Sequence, residues 1–81
     1  MRVELVVLDS ARKRGYPDED LLHVVAHAIR VFVQDDGMAM HIGSDGSGRM
    51  MEVGTIRLRD GRTAIAHAMR PARAKYTRQL R

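Results

Sequence analysis

A histidine and a glutamate are the residues of this sequence best suited to moving a proton. Glu52 and His67 lie on the two segments that flank an Asp60-Gly61 turn signal. If these two turn residues close a hairpin, cross-strand partners have residue numbers that add to 121, so His67 faces Gly54 and lies beside Glu52. A carboxylate beside an imidazole orients it as a general base and stabilises its charged form. The alternative is a structural hydrogen bond at the end of a sheet.

The same register places arginines on the other face of the hairpin. The residues predicted on this solvated face are Arg57, Arg59, Arg62 and Arg70. Arg59 would lie directly opposite Arg62, an unfavourable pairing unless an anion lies across the two guanidinium groups. The core face is predicted from Ile56, Leu58, Ile65 and Met69. A bulge at Gly54 would shift the register by one residue and change the faces beyond it.

The end of the chain continues the basic character. Arg73, Lys75 and Arg78 follow the hairpin, and the last twelve residues contain no acid. Because Ala72, Tyr76 and Leu80 recur every four positions, we expect an apolar stripe that docks a helix and turns its cations outward. Hairpin and tail would then form one basic patch. With only three aromatic residues in the chain, such a patch suits phosphate contact better than base stacking, and a merely solvated surface is the alternative.

Two other patterns are weaker. His23 and His27 are four positions apart, a spacing that can chelate zinc. Val24 stands where a metalloprotease motif requires Glu, and no third ligand is evident, so surface or packing histidines are the better interpretation and no metal is predicted. The glycine-rich segment 43–48 precedes a strand pattern rather than a helix and lacks the Gly-Lys-Ser/Thr of a P-loop, which favours a flexible connection. No cofactor is predicted.

The charge of the chain is unevenly distributed. Residues 1–40 hold 5 basic and 7 acidic side chains, a net charge of −2, whereas residues 41–81 hold 9 and 3, a net charge of +6. A basic half of this kind predicts a polyanionic partner. Twelve of the 14 basic residues are Arg, which binds phosphate with a planar fork of donors. A GC-rich genome explains the excess of Arg over Lys equally well. It does not explain why the two halves of the chain have net charges of opposite sign.

Length and composition exclude several classes of protein. The 81 residues predict a single domain over 1–81, and the absence of Cys excludes disulfides, thiolate zinc sites and Cys nucleophiles. No stretch approaches the roughly 20 apolar residues of a membrane span. The segment Met1–Leu8 is too short and too acidic for a signal peptide. We therefore expect a cytoplasmic protein.

Hydrophobic periodicity and turn residues predict an α+β fold. The expected elements are an extended entry or strand over Val3–Leu8, a short helix over Ala11–Arg14, a helix over 18–28, strands over 31–33, 38–42, 50–59 and 62–69, and a last helix from Pro71. Two short N-terminal helices, an antiparallel meander of about four strands and a C-terminal helix follow from this order.

Several short segments carry a family resemblance. They are Lys13-Arg14-Gly15-Tyr16, Ile42-Gly43-Ser44-Asp45, Gly48-Arg49-Met50-Met51, Thr55-Ile56-Arg57, His67-Ala68-Met69-Arg70 and Ala72–Tyr76. In order and spacing they resemble motifs of the BrnT-like toxins of bacterial type II toxin–antitoxin systems, which are related in fold to the RelE and ParE toxins. The sequence departs from the family at Ile56, where a glutamate is usual, and at Met69, where an arginine is usual unless Arg70 takes its role.

The resemblance implies a small ribonuclease that arrests translation and is neutralised by an antitoxin, commonly in a complex with two copies of each protein. A homodimer is an additional expectation. The alternative function is a non-catalytic module that binds nucleic acid or an acidic protein, and a structural domain of a larger complex remains a third interpretation.

Metal-free RNA cleavage needs a base, an acid and cations that stabilise the phosphate. Our hypothesis assigns His67, paired with Glu52, as the acid or base. The cations assigned to the phosphate are Arg57, Arg70 and Arg73, and the assigned proton donors are Lys75 and Tyr76. The remaining arginines expected to bind the RNA are Arg49, Arg59, Arg62 and Arg78.

Overall fold

The computed structural model describes residues 5–80, so Val3 and Glu4 of the predicted first strand lie outside the described residues. Its elements in chain order are β1 (Leu5–Val7), a 3₁₀ turn (Asp9–Arg12), α1 (Asp18–Ala26), β2 (Arg30–Val33), β3 (Ala39–Ser44), β4 (Met50–Arg57), β5 (Thr63–Met69), α2 (Ala74–Thr77) and a second 3₁₀ turn (Arg78–Leu80).

The sheet has five strands in the order β1-β5-β4-β3-β2. Strands β2 to β5 form an antiparallel meander, but β1 adds to the free edge of β5 in the parallel direction, with Leu5 opposite Thr63. The predicted antiparallel sheet of about four strands is therefore wrong, because the sheet is mixed and has a fifth strand. Pairing between distant segments leaves no local signal in a sequence, whereas hairpins are marked by their turns.

The predicted helices also need correction. The first N-terminal helix is a four-residue 3₁₀ turn, because Gly15, with a φ of 76°, reverses the chain soon after it. The expected C-terminal helix has only four α-helical residues before it tightens into a 3₁₀ turn. Only α1 has the expected character, with three acids in its first turn and Leu21 and Val24 buried. In the described chain, no helix is long and apolar enough to cross a membrane.

The two faces of the sheet are covered by different parts of the chain. Leu21 and Val24 of α1 pack with Met51, Val53 and other side chains on one face, which we call the α1 face. The residues from Ala72 to Leu80, which we call the C-terminal segment, pack on the other face against a cluster formed by Met40, Ile42, Phe32 and Met50. Side chains that alternate along β4 therefore face different layers, and Glu52 lies on the side of the C-terminal segment.

The hairpin between β4 and β5 matches the predicted register only at its open end. Glu52, Val53 and Gly54 pair with Met69, Ala68 and His67, as predicted. Beyond Gly54 the register shifts, so that Thr55 pairs with Ile65, and Leu58 bonds to Arg62 around a three-residue turn. A two-residue turn favours positive φ at both central residues, but only Gly61 has one here. The predicted opposition of Arg59 and Arg62 is therefore wrong.

Gly43 lets α1 approach the sheet closely. A Cβ atom at this position would lie 3.2 Å from Cα of Ala28 and 3.4 Å from the carbonyl oxygen of His27, both backbone atoms that cannot swing away. We expect Gly43→Ala to lower the free energy of unfolding by about 1–3 kcal/mol because the helix must move outward. Gly46→Ala is the matched control, since its nearest contact is Oδ1 of Asp20 at 3.8 Å. Urea unfolding of both variants measures the difference, and equal stability would contradict this account of the helix contact.

Candidate functional site

Glu52 is a buried carboxylate at the centre of the candidate site. Its side chain has 0% exposure, yet each oxygen has partners. The backbone N–H of Arg73 donates to Oε1 at 2.8 Å, and the guanidinium donates to Oε2 through Nη2 at 2.8 Å and to both oxygens through Nε at 3.1 Å. Burial alone would raise the pKa of Glu52, but the hydrogen bonds from Arg73 and His67 outweigh it and hold the pKa below its ordinary value.

His67 completes this cluster from the neighbouring strand. Its Nε2 lies 2.9 Å from Oε2 of Glu52, as the predicted pairing requires. Because the carboxylate accepts, Nε2 carries the hydrogen and donates it, and in the neutral form of the ring the lone pair is then on Nδ1. The imidazole is 26% exposed, and Nδ1 has no hydrogen-bond partner among the described residues. His67 is thus oriented by a buried acid, and its other ring nitrogen has no partner in the described part of the chain.

Gly54 provides the room for this imidazole. It lies opposite His67 in the ladder, and a Cβ atom there would come within 3.2 Å of Cβ of His67 and would collide with the Met38 side chain. The glycine therefore lets the imidazole and a methionine occupy the same part of the sheet surface.

Lys75 and Tyr76 lie one turn beyond Arg73. Nζ of Lys75 is 5.0 Å from the centroid of the Tyr76 ring, and the Arg73 guanidinium carbon is 5.5 Å from the same centroid. Tyr76 is buried and packs against Phe32, and its hydroxyl accepts a hydrogen bond from the Gln34 amide. The structure thus places Lys75 on the surface over the Tyr76 ring and gives Tyr76 the surroundings of an anchor for the C-terminal segment.

Arg70 lies on the α1 face, away from the cluster. Its Nη1 donates to Oδ2 of Asp45 at 2.6 Å and lies 3.6 Å from Oδ2 of Asp20, while the guanidinium stacks 5.0 Å from the centroid of the Tyr16 ring. Arg57 also points to the α1 side, since it is five positions from Glu52 on the same strand. Of the residues assigned to catalysis, the structure brings His67 and Glu52 into contact, connects Lys75 and Tyr76 to them only through Arg73, and separates Arg57 and Arg70 from them.

The sequence analysis missed Asp45, which organises the segment after β3. The hydroxyl and the backbone N–H of Ser47 and the backbone N–H of Arg49 all donate to its Oδ1. The Ser47 hydroxyl is the largest cause of a lowered pKa of Asp45; burial opposes it, and the hydrogen bonds from Arg70 and from the backbone N–H groups of Arg49 and Ser47 lower the pKa further. The segment is therefore a hydrogen-bonded turn and not the predicted flexible connection. Asp followed by Gly-Ser-Gly is itself a signal for such a turn.

The remaining arginines do not form the single basic patch predicted from the sequence. Arg57, Arg59 and Arg62 lie at the closed end of the β4–β5 hairpin, where Arg62 pairs with Asp60 at 2.8 Å. Arg49 is exposed and precedes the other end of β4, about 25 Å away along the strand. Arg78 is exposed on the C-terminal segment, where its Nε donates to the carbonyl of Ala74. The positive charge thus divides between two ends of the sheet.

No group of three or more potential His, Asp or Glu ligands that could hold a metal ion is found in residues 5–80. His23 and His27 stack on the exposed side of α1 with their ring centroids 4.6 Å apart.

His41 is a second histidine in a constrained environment. Its Nε2 lies 3.0 Å from the Thr55 hydroxyl, whereas its Nδ1 is buried and has no partner among the described residues. Burial lowers the pKa of His41 because an imidazolium there would expose an unpaired N–H to an apolar environment.

Comparison with known proteins gives no relative for this chain: no family model, no curated protein and no solved structure matches it. The resemblance to BrnT-like toxins therefore stays a prediction.

The Glu52–Arg73 pair predicts an asymmetry between its two single variants. Arg73→Gln leaves a buried carboxylate without its cation, and we expect it to cost about 3–5 kcal/mol of unfolding free energy. Glu52→Gln leaves a guanidinium that can turn to solvent, and we expect a smaller cost of about 2 kcal/mol. Chemical denaturation measures both values, with Arg62→Gln as an exposed control that should change little. The reverse order would contradict the assignment of Glu52 as the constrained partner.

His41 predicts a stability change between about pH 7 and pH 5. The pKa of His41 is lower in the folded state than in the unfolded state. The neutral imidazole therefore makes its full contribution to stability above the unfolded pKa of about 6.5, and that contribution is lost as the pH falls below this value. We expect His41→Gln to flatten the decline in unfolding free energy over this range. Thr55→Val is the control, because it removes the hydroxyl contact and keeps the titrating group. An unchanged pH profile in His41→Gln would rule out this role.

Proposed function

We propose that this protein is a small, metal-independent ribonuclease of the bacterial cytoplasm that acts as the toxin of a toxin–antitoxin pair. One observation carries the proposal: the imidazole of His67 is oriented by a buried carboxylate, its second nitrogen has no partner among residues 5–80, and the Arg73 guanidinium binds the same carboxylate. Base, orienting acid and electrostatic stabilisation are the components that cleavage of an RNA phosphodiester requires.

The proposed reaction starts from Nδ1 of His67, which accepts the proton of a 2′-hydroxyl group. The 2′-oxygen attacks the adjacent phosphorus, the bond to the 5′-oxygen breaks, and a 2′,3′-cyclic phosphate forms. Lys75 supplies the proton that the leaving 5′-oxygen needs, since its ammonium group is exposed whereas the Tyr76 hydroxyl is buried. Arg73 contacts Glu52 through Nε and Nη2, so Nη1 remains for a phosphate oxygen.

The partners follow from the same proposal. RNA is the substrate, and the exposed arginines Arg49, Arg59, Arg62 and Arg78 provide contacts to its backbone. A cognate antitoxin protein would cover the toxin in a heterotetramer or a larger complex. This assembly rests on the resemblance of the sequence motifs, and it is tested by co-expression with the protein encoded by the neighbouring gene.

A second candidate function is non-catalytic binding of an anionic partner. The observation that favours it is the saturation of Glu52 by Arg73, because both groups are then engaged in holding the C-terminal segment on the sheet. Arg70 is similarly engaged by Asp45. In this interpretation the exposed arginines hold a polyanion, and the Glu52–His67 contact has only a structural purpose.

Cleavage of a single-stranded RNA by the purified chain separates the two functions. We expect cleavage in the presence of a chelator, no cleavage when the nucleotide at the cut site is 2′-deoxy, and a rate about 10²–10⁴-fold lower for His67→Ala. His23→Ala is the matched control, since that histidine is exposed on α1, and it should keep the full rate.

Induced expression in a bacterium gives the corresponding test in the cell. The wild-type chain should arrest growth and His67→Ala should not. If wild type and His67→Ala both retain RNA on a filter and neither cleaves it, the ribonuclease proposal is wrong and the non-catalytic binding function is supported.

A further inference from the structure

Strand β2 is an edge of the sheet with exposed apolar side chains. It has β3 as its one neighbour, and Val31 and Val33 on it are 45% and 78% exposed. Ile29, just before the strand, is 63% exposed. Edge strands of monomeric proteins usually carry charges, prolines or bulges that prevent pairing with another chain. The alternating residues Ile29, Val31 and Val33 are instead apolar and β-branched, and such residues favour pairing with another strand.

The exposure of these side chains follows from where α1 ends. In the β2–β3 ladder, Val31 and Val33 lie opposite His41 and Ala39, which share a face with Gly43. The last turns of α1 lie over Gly43, whose missing Cβ lets them approach. The helix therefore covers this face at β3 and leaves the adjoining face of β2 uncovered.

The hydrogen bonds of β2 determine which backbone groups are turned outward. The N–H of Gln34 donates to the carbonyl of Met38 at 2.9 Å, in the register that also pairs Phe32 with Met40. Because hydrogen-bonded and open pairs alternate along an antiparallel ladder, Phe32 bonds inward, and the N–H and C=O groups of Val31 and Val33 point away from β3. The same two residues thus present both unpaired backbone groups and apolar side chains.

We propose that β2 pairs antiparallel with β2 of a second copy of this chain, about a two-fold axis at Phe32. Val31 of each copy then lies opposite Val33 of the other, where the outward backbone groups can form four hydrogen bonds. The exposed valines cover each other on one face, and the two Phe32 side chains meet on the other face.

The charges along β2 favour this second copy as the occupant. Arg30 lies at one end of the strand, and the exposed acids Asp35 and Asp36 form the turn at the other end. An antiparallel pair brings Arg30 of each copy opposite Gln34 and towards the acidic turn of the other copy. No like charges lie opposite each other, so the strand is complementary to itself. This inference does not depend on the proposed function, and a dimer without nuclease activity would satisfy it.

Sedimentation of the purified full chain tests the dimer. We expect a mass of twice the 9.1 kDa protomer at about 0.1 mM. Val33→Lys should return the mass to that of one chain, whereas Leu22→Lys, at an exposed apolar residue of α1 away from β2, should leave the dimer intact. Thermal unfolding followed by circular dichroism verifies that both variants fold. A monomeric wild type would overturn the proposal and leave β2 for a strand of another protein, and a dimer insensitive to Val33→Lys would overturn it too.

Disulfide trapping tests the register, because the chain has no Cys of its own. Opposite residues in such a pair have Cα atoms about 5.5 Å apart, within reach of a disulfide. We expect a mixture of Val31→Cys and Val33→Cys chains to form a mixed disulfide on oxidation, and each variant alone to form little. Preferential crosslinking of either variant with itself would overturn the proposed axis at Phe32.

Discussion

The buried charge of Glu52 is the constraint on which the C-terminal half of this structure depends. Transferring a carboxylate from water into a protein interior costs several kcal/mol, which only close and well-oriented partners repay. Here Arg73 offsets this desolvation cost, because its guanidinium and its backbone N–H both bind the same carboxylate. The C-terminal segment, with little helix of its own, is therefore held on the sheet by an ion pair as well as by Tyr76 and Ala72.

A second carboxylate–arginine pair performs a similar task on the other face. Asp45 holds Arg70 close to Asp20 and Tyr16, and so connects the end of β5 to the start of α1. Between them, the two pairs engage the two arginines nearest the end of β5. The exposed cations of the basic half include those at the hairpin tip, Arg49 at the other end of β4, and Lys75 and Arg78 on the C-terminal segment. The number of arginines in the chain therefore overstates the number of cations that a partner can contact, while the net charge of +4 is unaffected because each pair is neutral.

Much of the candidate site could be predicted from the sequence, because it depends on local rules. The alternation on either side of the Asp-Gly turn predicts His67 opposite Gly54 and next to Glu52, and this pairing holds because the register shift beyond Gly54 compensates for the third residue of the turn. The tip of the hairpin could not be placed in the same way, since Asp60 does not adopt the positive φ that a two-residue turn favours. Arg73 and Asp45 bind partners more than twenty positions away, and nothing local to either residue indicates such a contact. Arg57 lies on the opposite face from Glu52, as alternation along β4 predicts, and only the separation of Arg70 depends on a non-local pairing, that with Asp45.

The parallel pairing of β1 with β5 has a consequence for the order in which the molecule can assemble. Leu5 pairs with Thr63, so the first strand cannot take its place in the sheet before the residues of β5 have been synthesised. Closing so long a loop costs entropy that only the finished edge of β5 can offset. During synthesis on the ribosome, the early part of the chain would wait without its partner strand until β5 has emerged.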